Sequence, residues 1–246
     1  MNVKDILDRA DRLKSQRANF DSLWQKVADY VLPAREFTTT QMPGARRTQP
    51  SKIYNTMPRT AAKQLANALS YLLTPTQKPW LKLKASSSRH KPALDSYASA
   101  WGDDPVASWF EHAGSALFSV FNSPKAGFST SINEAYKDVA VFGNGPLFVG
   151  DAGRHGAVFQ SVPLAECYVT TDRNTKINGL FRVFKITAAQ LGADWPNVQS
   201  KAVRHAIEKA PETKFEIIHA VYAKGRDERA PFDFHSVYVL RDGQEE

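Results

Sequence analysis

The sequence predicts an α+β fold, with N-terminal helices packed on a mostly antiparallel sheet. Three observations carry that expectation. Apolar residues recur at three- and four-residue steps through the first 142 positions. From Gly143 onward the period changes to short runs separated by turn residues. A hydrophobic share of 42%, with 11% aromatic residues, is enough to close a core in a chain of 246 residues. The change of period suggests two parts, a helical one over 1–142 and a β-rich one over 143–246.

The first helix is expected over 3–32. Ile6, Leu7, Leu13, Phe20, Leu23, Trp24, Val27, Ala28 and Val31 form its apolar stripe, and Pro33 stops it. Residues 34–55 are polar and aperiodic and read as a long loop, a length usually kept for function. A second helix follows over about 57–73. Thr56 is its candidate N-cap and Pro58 lies in its first turn, where the missing N–H is harmless. Ala61, Ala62, Leu65, Ala66, Leu69, Leu72 and Leu73 are its expected buried stripe. Trp80-Leu81-Lys82-Leu83-Lys84 alternates as a short strand does, before a Ser-, Lys- and Asp-rich connection over 85–104.

Asp104-Pro105 should open a third helix, about 105–122, with Val106, Trp109, Phe110, Ala113, Leu117, Val120 and Phe121 facing inward. A fourth, about 127–142, carries Phe128, Ile132, Ala135, Tyr136, Val139 and Phe142. Strands are then expected at 147–150, 157–162, 167–171, 179–185, 215–222 and 235–240. Gly153-Arg154-His155-Gly156 would join the first two as a hairpin. Between the fourth and fifth strands, Thr187 should cap one short helix, and 197–209 another.

Charge is distributed unevenly along the chain. The net charge is +7, but residues 1–91 hold 17 Lys/Arg against 6 Asp/Glu, whereas residues 92–246 hold 15 against 19. That asymmetry points to a polyanion or an acidic partner near the N-terminal part. No apolar stretch approaches the ~20 residues of a bilayer span, and the charged N-terminus lacks a signal-peptide core, so no membrane partner is expected. Cys167 is the only cysteine and is expected to be a small buried hydrophobe, in keeping with a reducing compartment.

Enzyme signatures are missing. There is no Gly-x-x-x-x-Gly-Lys loop, no His-Glu-x-x-His, no paired cysteines and no Gly-x-Ser-x-Gly elbow. Gly143-Asn144-Gly145 runs into Pro146 and a strand, so no helix N-terminus is offered to a phosphate. His219 and His235 could meet across neighbouring strands, yet two histidines without a third ligand make no metal centre. Asp103-Asp104 precedes Pro105, where capping explains it. No catalytic residue, cofactor or metal is therefore expected.

Several short motifs follow one another in a telling order. Trp24-Gln25-Lys26-Val27-Ala28-Asp29-Tyr30-Val31-Leu32-Pro33 precedes the polar loop and Lys52-Ile53-Tyr54-Asn55-Thr56. Ala61-Ala62-Lys63-Gln64-Leu65-Ala66-Asn67-Ala68-Leu69 leads into Leu72-Leu73-Thr74-Pro75 and Lys78-Pro79-Trp80-Leu81-Lys82-Leu83. Ala135-Tyr136-Lys137-Asp138, Val141-Phe142-Gly143-Asn144-Gly145, Val162-Pro163-Leu164-Ala165-Glu166-Cys167-Tyr168 and Phe181-Arg182-Val183-Phe184-Lys185-Ile186-Thr187 complete the series. Over about residues 15–222 this succession resembles the N-terminal half of the head-to-tail connector, or portal, family of short-tailed bacteriophages.

The resemblance implies a wing-like part of a structural, non-enzymatic ring subunit at the capsid vertex of the virion, assembled in the host cytoplasm. It implies a homododecamer that conducts double-stranded DNA nonspecifically during packaging and ejection. Its partners would be further copies of itself, the major capsid protein, scaffolding protein, terminase and a tail adaptor. Family members are about twice as long, so the stem, clip and crown regions are expected to be absent from this chain. Arg46, Arg47, Lys52 and Arg59 are the basic candidates for facing DNA or a partner. The competing reading is a sequence-nonspecific nucleic-acid-binding module, suggested by the basic segment with Tyr54, Tyr71 and Trp80 interleaved. An uncharacterised phage enzyme would be a third reading, and no motif supports it.

Overall fold

The structure, a computed structural model, describes residues 2–35, 37, 55–84, 105–153, 156–197, 200–224 and 233–241. In chain order the elements are α1 (Val3–Val31), α2 (Met57–Leu73), α3 (Pro105–Asn122), α4 (Phe128–Phe142), β1 (Leu147–Asp151), β2 (Ala157–Ser161), β3 (Cys167–Thr171), β4 (Ile177–Thr187), α5 (Ala188–Asp194), α6 (Lys201–Lys209), β5 (Lys214–Ala223) and β6 (Phe234–Leu240). A single 3-10 turn, Leu164–Glu166, leads into β3. The class is α+β as expected, and both sheets are antiparallel throughout.

Two compact units form, and they do not follow chain order. One joins Met1–Asn55 to Pro163–Glu246, and the other is Thr56–Val162. The division at 142/143 suggested by periodicity separates types of secondary structure. Packing draws a different line and places the first helix with the last strands.

In the first unit, α1 starts with a capping box. The Asn2 side chain accepts from the Asp5 amide at 2.8 Å, and the Asp5 carboxylate accepts from the Asn2 amide at 3.0 Å. The helix closes where Leu32 N–H donates to the Ala28 carbonyl and Pro33 forbids a further turn. The sheet runs β3-β4-β5-β6. Alternation along the strands gives it two apolar faces. Phe181, Ala220, Ile218 and Val239 point to one side and meet Ile6 and Ala10 of α1. Phe184, Ile217 and Leu240 point to the other and meet Ala188 and Leu191 of α5 and Val203 and Ala206 of α6. The sheet is thus covered on both faces, which is why β5 is buried continuously from Ile217 to Ala220. Thr187 caps α5 through a second capping box with Gln190, and Ser200 caps α6 through its hydroxyl.

The second unit holds α2, α3, α4 and the β1–β2 hairpin. Its centre is aromatic. The Trp80 ring stacks with Phe121 and Phe128 at 5.5 and 5.7 Å, and Phe159 meets both phenylalanines edge-on. Gly143, at φ 80°, ends α4 in the left-handed region. Gly145 is needed for a different reason, since a Cβ there would lie 2.3 Å from the Ala135 carbonyl oxygen.

Some expectations do not survive. Thr56 makes no side-chain cap, because its backbone is already helical. Residues 80–84 pair with no strand among the described residues, and Leu81 and Leu83 lie against α3 beside Gly114. The α2 stripe is mostly in solvent, with only Ala66 buried, and Trp109 and Leu117 of α3 are exposed as well. The Asp103-Asp104 cap lies outside the described residues.

Candidate partner interface

The C-terminal half of α1 is held to the sheet by one guanidinium. Arg17 donates through Nη1 to the Leu164 carbonyl at 2.9 Å and to the Cys167 carbonyl, and through Nη2 to the Ala165 carbonyl at 2.6 Å. Its Nε lies 2.8 Å from Asp21, one turn further along the helix. Its flat face covers the Tyr168 ring at 3.9 Å, a cation–π contact. Leu164 and Ala165 in the turn and Cys167 at the start of β3 present three carbonyls, and a planar five-donor fork suits them. Burial raises the Asp21 pKa, and Arg17 beside it works the other way. A second tie is Arg241, which donates to Glu216 at 2.5 Å and to Asp11 of α1.

With one face so anchored, α1 leaves another arc in water. Phe20, Leu23 and Tyr30 are 59%, 56% and 51% exposed. On α2 the exposed set is larger still, with Leu65 at 49%, Tyr71 at 78% and Leu72 at 72%. Large apolar side chains clustered in this way mark interaction surfaces more often than free surface. Segment 56–84 also carries five cations, Arg59, Lys63, Lys78, Lys82 and Lys84, and no carboxylate. All five are exposed, and none joins an ion pair among the described residues.

Among the described residues the buried ionisable groups do not combine into a nucleophile and its base. In the row Cys167–Arg182–His219–Tyr238 across the sheet, the thiol and the imidazole are two strands apart, roughly 10 Å, too far for a nucleophile and its base. Burial pushes the Cys167 thiol up to about 12. Burial, with Arg182 nearby, pulls His219 down to about 4. His219 stacks on Tyr238 at 4.0 Å and shares a 2.9 Å hydrogen bond with Ser236, which accounts for it structurally. His235 stands opposite Tyr222, not His219, so the two histidines do not form a cross-strand pair. Glu166, raised by burial, is paired with Arg182 at 2.8 Å. Among the described residues no group of three His, Cys, Asp or Glu side chains could hold a metal ion. A shallow depression of about 260 Å³ beside Phe121 and Phe128 has no ionisable side chain in its lining.

Of the basic candidates, Arg59 stands exposed on α2, whereas Arg46, Arg47 and Lys52 lie outside the described residues. Trp80 stacks on Phe121 and Phe128 yet keeps 36% of its surface exposed, Tyr71 is exposed on α2, and Tyr54 lies outside the described residues. Sequence reading missed Arg17 and Asp21. Their signal was a charged pair at i, i+4 spacing on the flank of an apolar stripe, which surface pairs show equally often.

Comparison with known proteins places the whole chain. A family model described as "Bacteriophage head to tail connecting protein" matches residues 3–246. Among curated relatives, the "Probable portal protein" of Bordetella phage BPP-1 is 25% identical over 226 residues, covering 89% of this chain and 38% of the relative. The "Portal protein" of Salmonella phage epsilon15 is 23% identical over 247 aligned residues, covering 97% of this chain and 42% of the relative. The chain thus spans about two fifths of the length of these relatives.

Proposed function

The chain belongs to the bacteriophage head-to-tail connecting protein family, and from that premise we propose that it acts as a structural subunit of the portal ring at the capsid vertex. The family match over 3–246 is the observation that carries this reading. The exposed apolar arcs of α1 and α2 support it, because a ring subunit must keep surface in reserve for its neighbours. In this role the protein conducts the genome during packaging and ejection, and meets capsid and scaffolding proteins, the terminase and the tail adaptor. The two units would be parts of the wing, and further copies of the chain would complete a dodecamer.

Electron microscopy of the protein expressed from its complete gene tests the reading. Rings with a central hole are the expected result. A strictly monomeric species at every concentration would overturn it.

A second reading has its own observation. The five exposed cations of 56–84 join no ion pair among the described residues, and the segment itself carries no carboxylate. With Arg46, Arg47 and Lys52 added from the sequence, this favours nonspecific contact with a nucleic-acid backbone. Duplex affinity should then fall steeply with salt, and each cation removed from a phosphate contact should lower the log–log slope by about 0.9. Absence of binding at low salt excludes this reading and leaves the ring untouched.

A further inference from the structure

We propose that the exposed arcs of α1 and α2 are the two halves of one contact, in which α2 of one copy of this chain docks on α1 of the next. The inference rests on the ring-subunit reading and assigns the residues that would join its neighbours.

On α2, Ala61, Leu65, Ala68 and Leu72 follow one another at steps of four, three and four, and all are exposed. Tyr71 flanks them. The opposite side of the helix is the one its own unit uses, where Ala66 is buried and Asn67 meets Asn133 of α4 at 3.4 Å. On α1, Phe20, Leu23, Val27 and Tyr30 follow at steps of three, four and three. They lie beside the arc of Ile6, Ala10 and Ala28 that faces the sheet, and Phe20 leans on Trp24 at 6.1 Å. Alternating three- and four-residue spacing is the pattern of a helix that packs lengthwise against another helix.

Size and charge make the two seams fit each other better than themselves. Ala61 and Ala68 leave hollows on α2, and Phe20 and Tyr30 are large projections on α1. Two α2 helices side by side would bring Arg59 and Lys63 together with no carboxylate on either helix. The second half of α1 balances Arg17 and Lys26 with Asp21 and Asp29, so it adds no such repulsion. From their fractional exposures and the ~200 Å² a large side chain can bury, the seams supply on the order of 800 Å². That is more than half of the ~1,200 Å² at which specific contacts become stable, before any flanking residue is counted. Because the two seams differ, each copy keeps one of each open, which is the head-to-tail arrangement that closes a ring.

The test uses the full 246-residue chain. Light scattering after size exclusion follows the wild type, a Leu65→Glu/Leu72→Glu variant and a Phe20→Glu/Leu23→Glu variant over rising concentration. Circular dichroism confirms that each is folded, and glutamine in place of glutamate gives a milder second pair. The wild type should associate beyond the dimer. Each variant should stay monomeric, with association weakened at least tenfold. Their equimolar mixture should form a dimer and stop there, since only one intact seam of each kind remains. A chain carrying Leu23→Cys should also form a disulfide-linked dimer with one carrying Leu65→Cys.

A wild type that stays monomeric overturns the proposal, as does association unaffected by either pair of changes. A Phe20→Glu/Leu23→Glu variant that still dimerises overturns it in favour of α2 pairing with itself. Rings from the complete gene that survive all four glutamates would sink the seam and leave the connector reading standing.

Discussion

Arg17 ties a helix to the turn before β3 with side-chain hydrogen bonds that no backbone group could replace. Changing it to Met would remove the guanidinium's hydrogen bonds to the Leu164, Ala165 and Cys167 carbonyls and leave Asp21 buried without its cation. The expected cost is about 3 kcal/mol, read as a lower urea midpoint. Arg17→Lys should recover less than half of that, because an ammonium lacks the fork. His219 gives a pH signature. The unfolded chain takes up this proton near the ordinary 6.5, the folded one only near 4. Between those values the unfolded state holds more protons, so stability should fall as pH drops from about 6.5 towards 4. His219→Phe keeps an aromatic ring over Tyr238 and should flatten that slope in urea titrations at pH 5 and pH 7. The Cys167 thiol, pushed up to about 12, should resist a disulfide reagent at pH 8 until denaturant is added.

Element by element, much was legible, and the failures share a cause. Period and punctuation placed α1 to α4 to within a residue, because Pro33, Pro58, Pro105 and Gly143 mark their ends. Thr187 announced the first short helix by its capping chemistry, whereas the second, expected from 197, starts at Lys201 behind the Ser200 cap. Periodicity reports which side of a helix is apolar and not what covers it, so the α2 stripe of Leu65 and Leu72 was read as core when it lies in water. The 80–84 segment alternates correctly yet has no strand beside it among the described residues, since pairing depends on distant chain. At the site, the basic candidates could be named from charge, but the Arg17 cage could not, because its acceptors lie about 150 residues away. Gly145→Ala should destabilise by about 2 kcal/mol, since its methyl would strike the α4 backbone. Gly143→Ala should cost nearer 1 kcal/mol, the price of a left-handed residue with open space around it. Thermal melts of the two variants compare them directly.

For the molecule as a whole, an association built on apolar seams has a recognisable response to ions. Self-assembly should survive 0.5 M sodium chloride and strengthen in sulfate, whereas duplex binding through the 56–84 cations should collapse. Scattering and anisotropy on the same samples separate the two. A different consequence follows from the first unit being built from two stretches far apart in sequence, with Asp11 bonded through Arg241 to Glu216. On a ribosome, α1 emerges first, and the strand it leans on, Phe234–Leu240, follows only after the whole intervening segment has been made. At ~5–20 residues per second, the gap is on the order of ten to forty seconds. Throughout that interval the greasy side of the helix waits in solvent while the inserted unit Thr56–Val162 can already condense. A nascent chain in that state is a natural client for a holdase chaperone, and one whose release is timed by the synthesis of that distant strand.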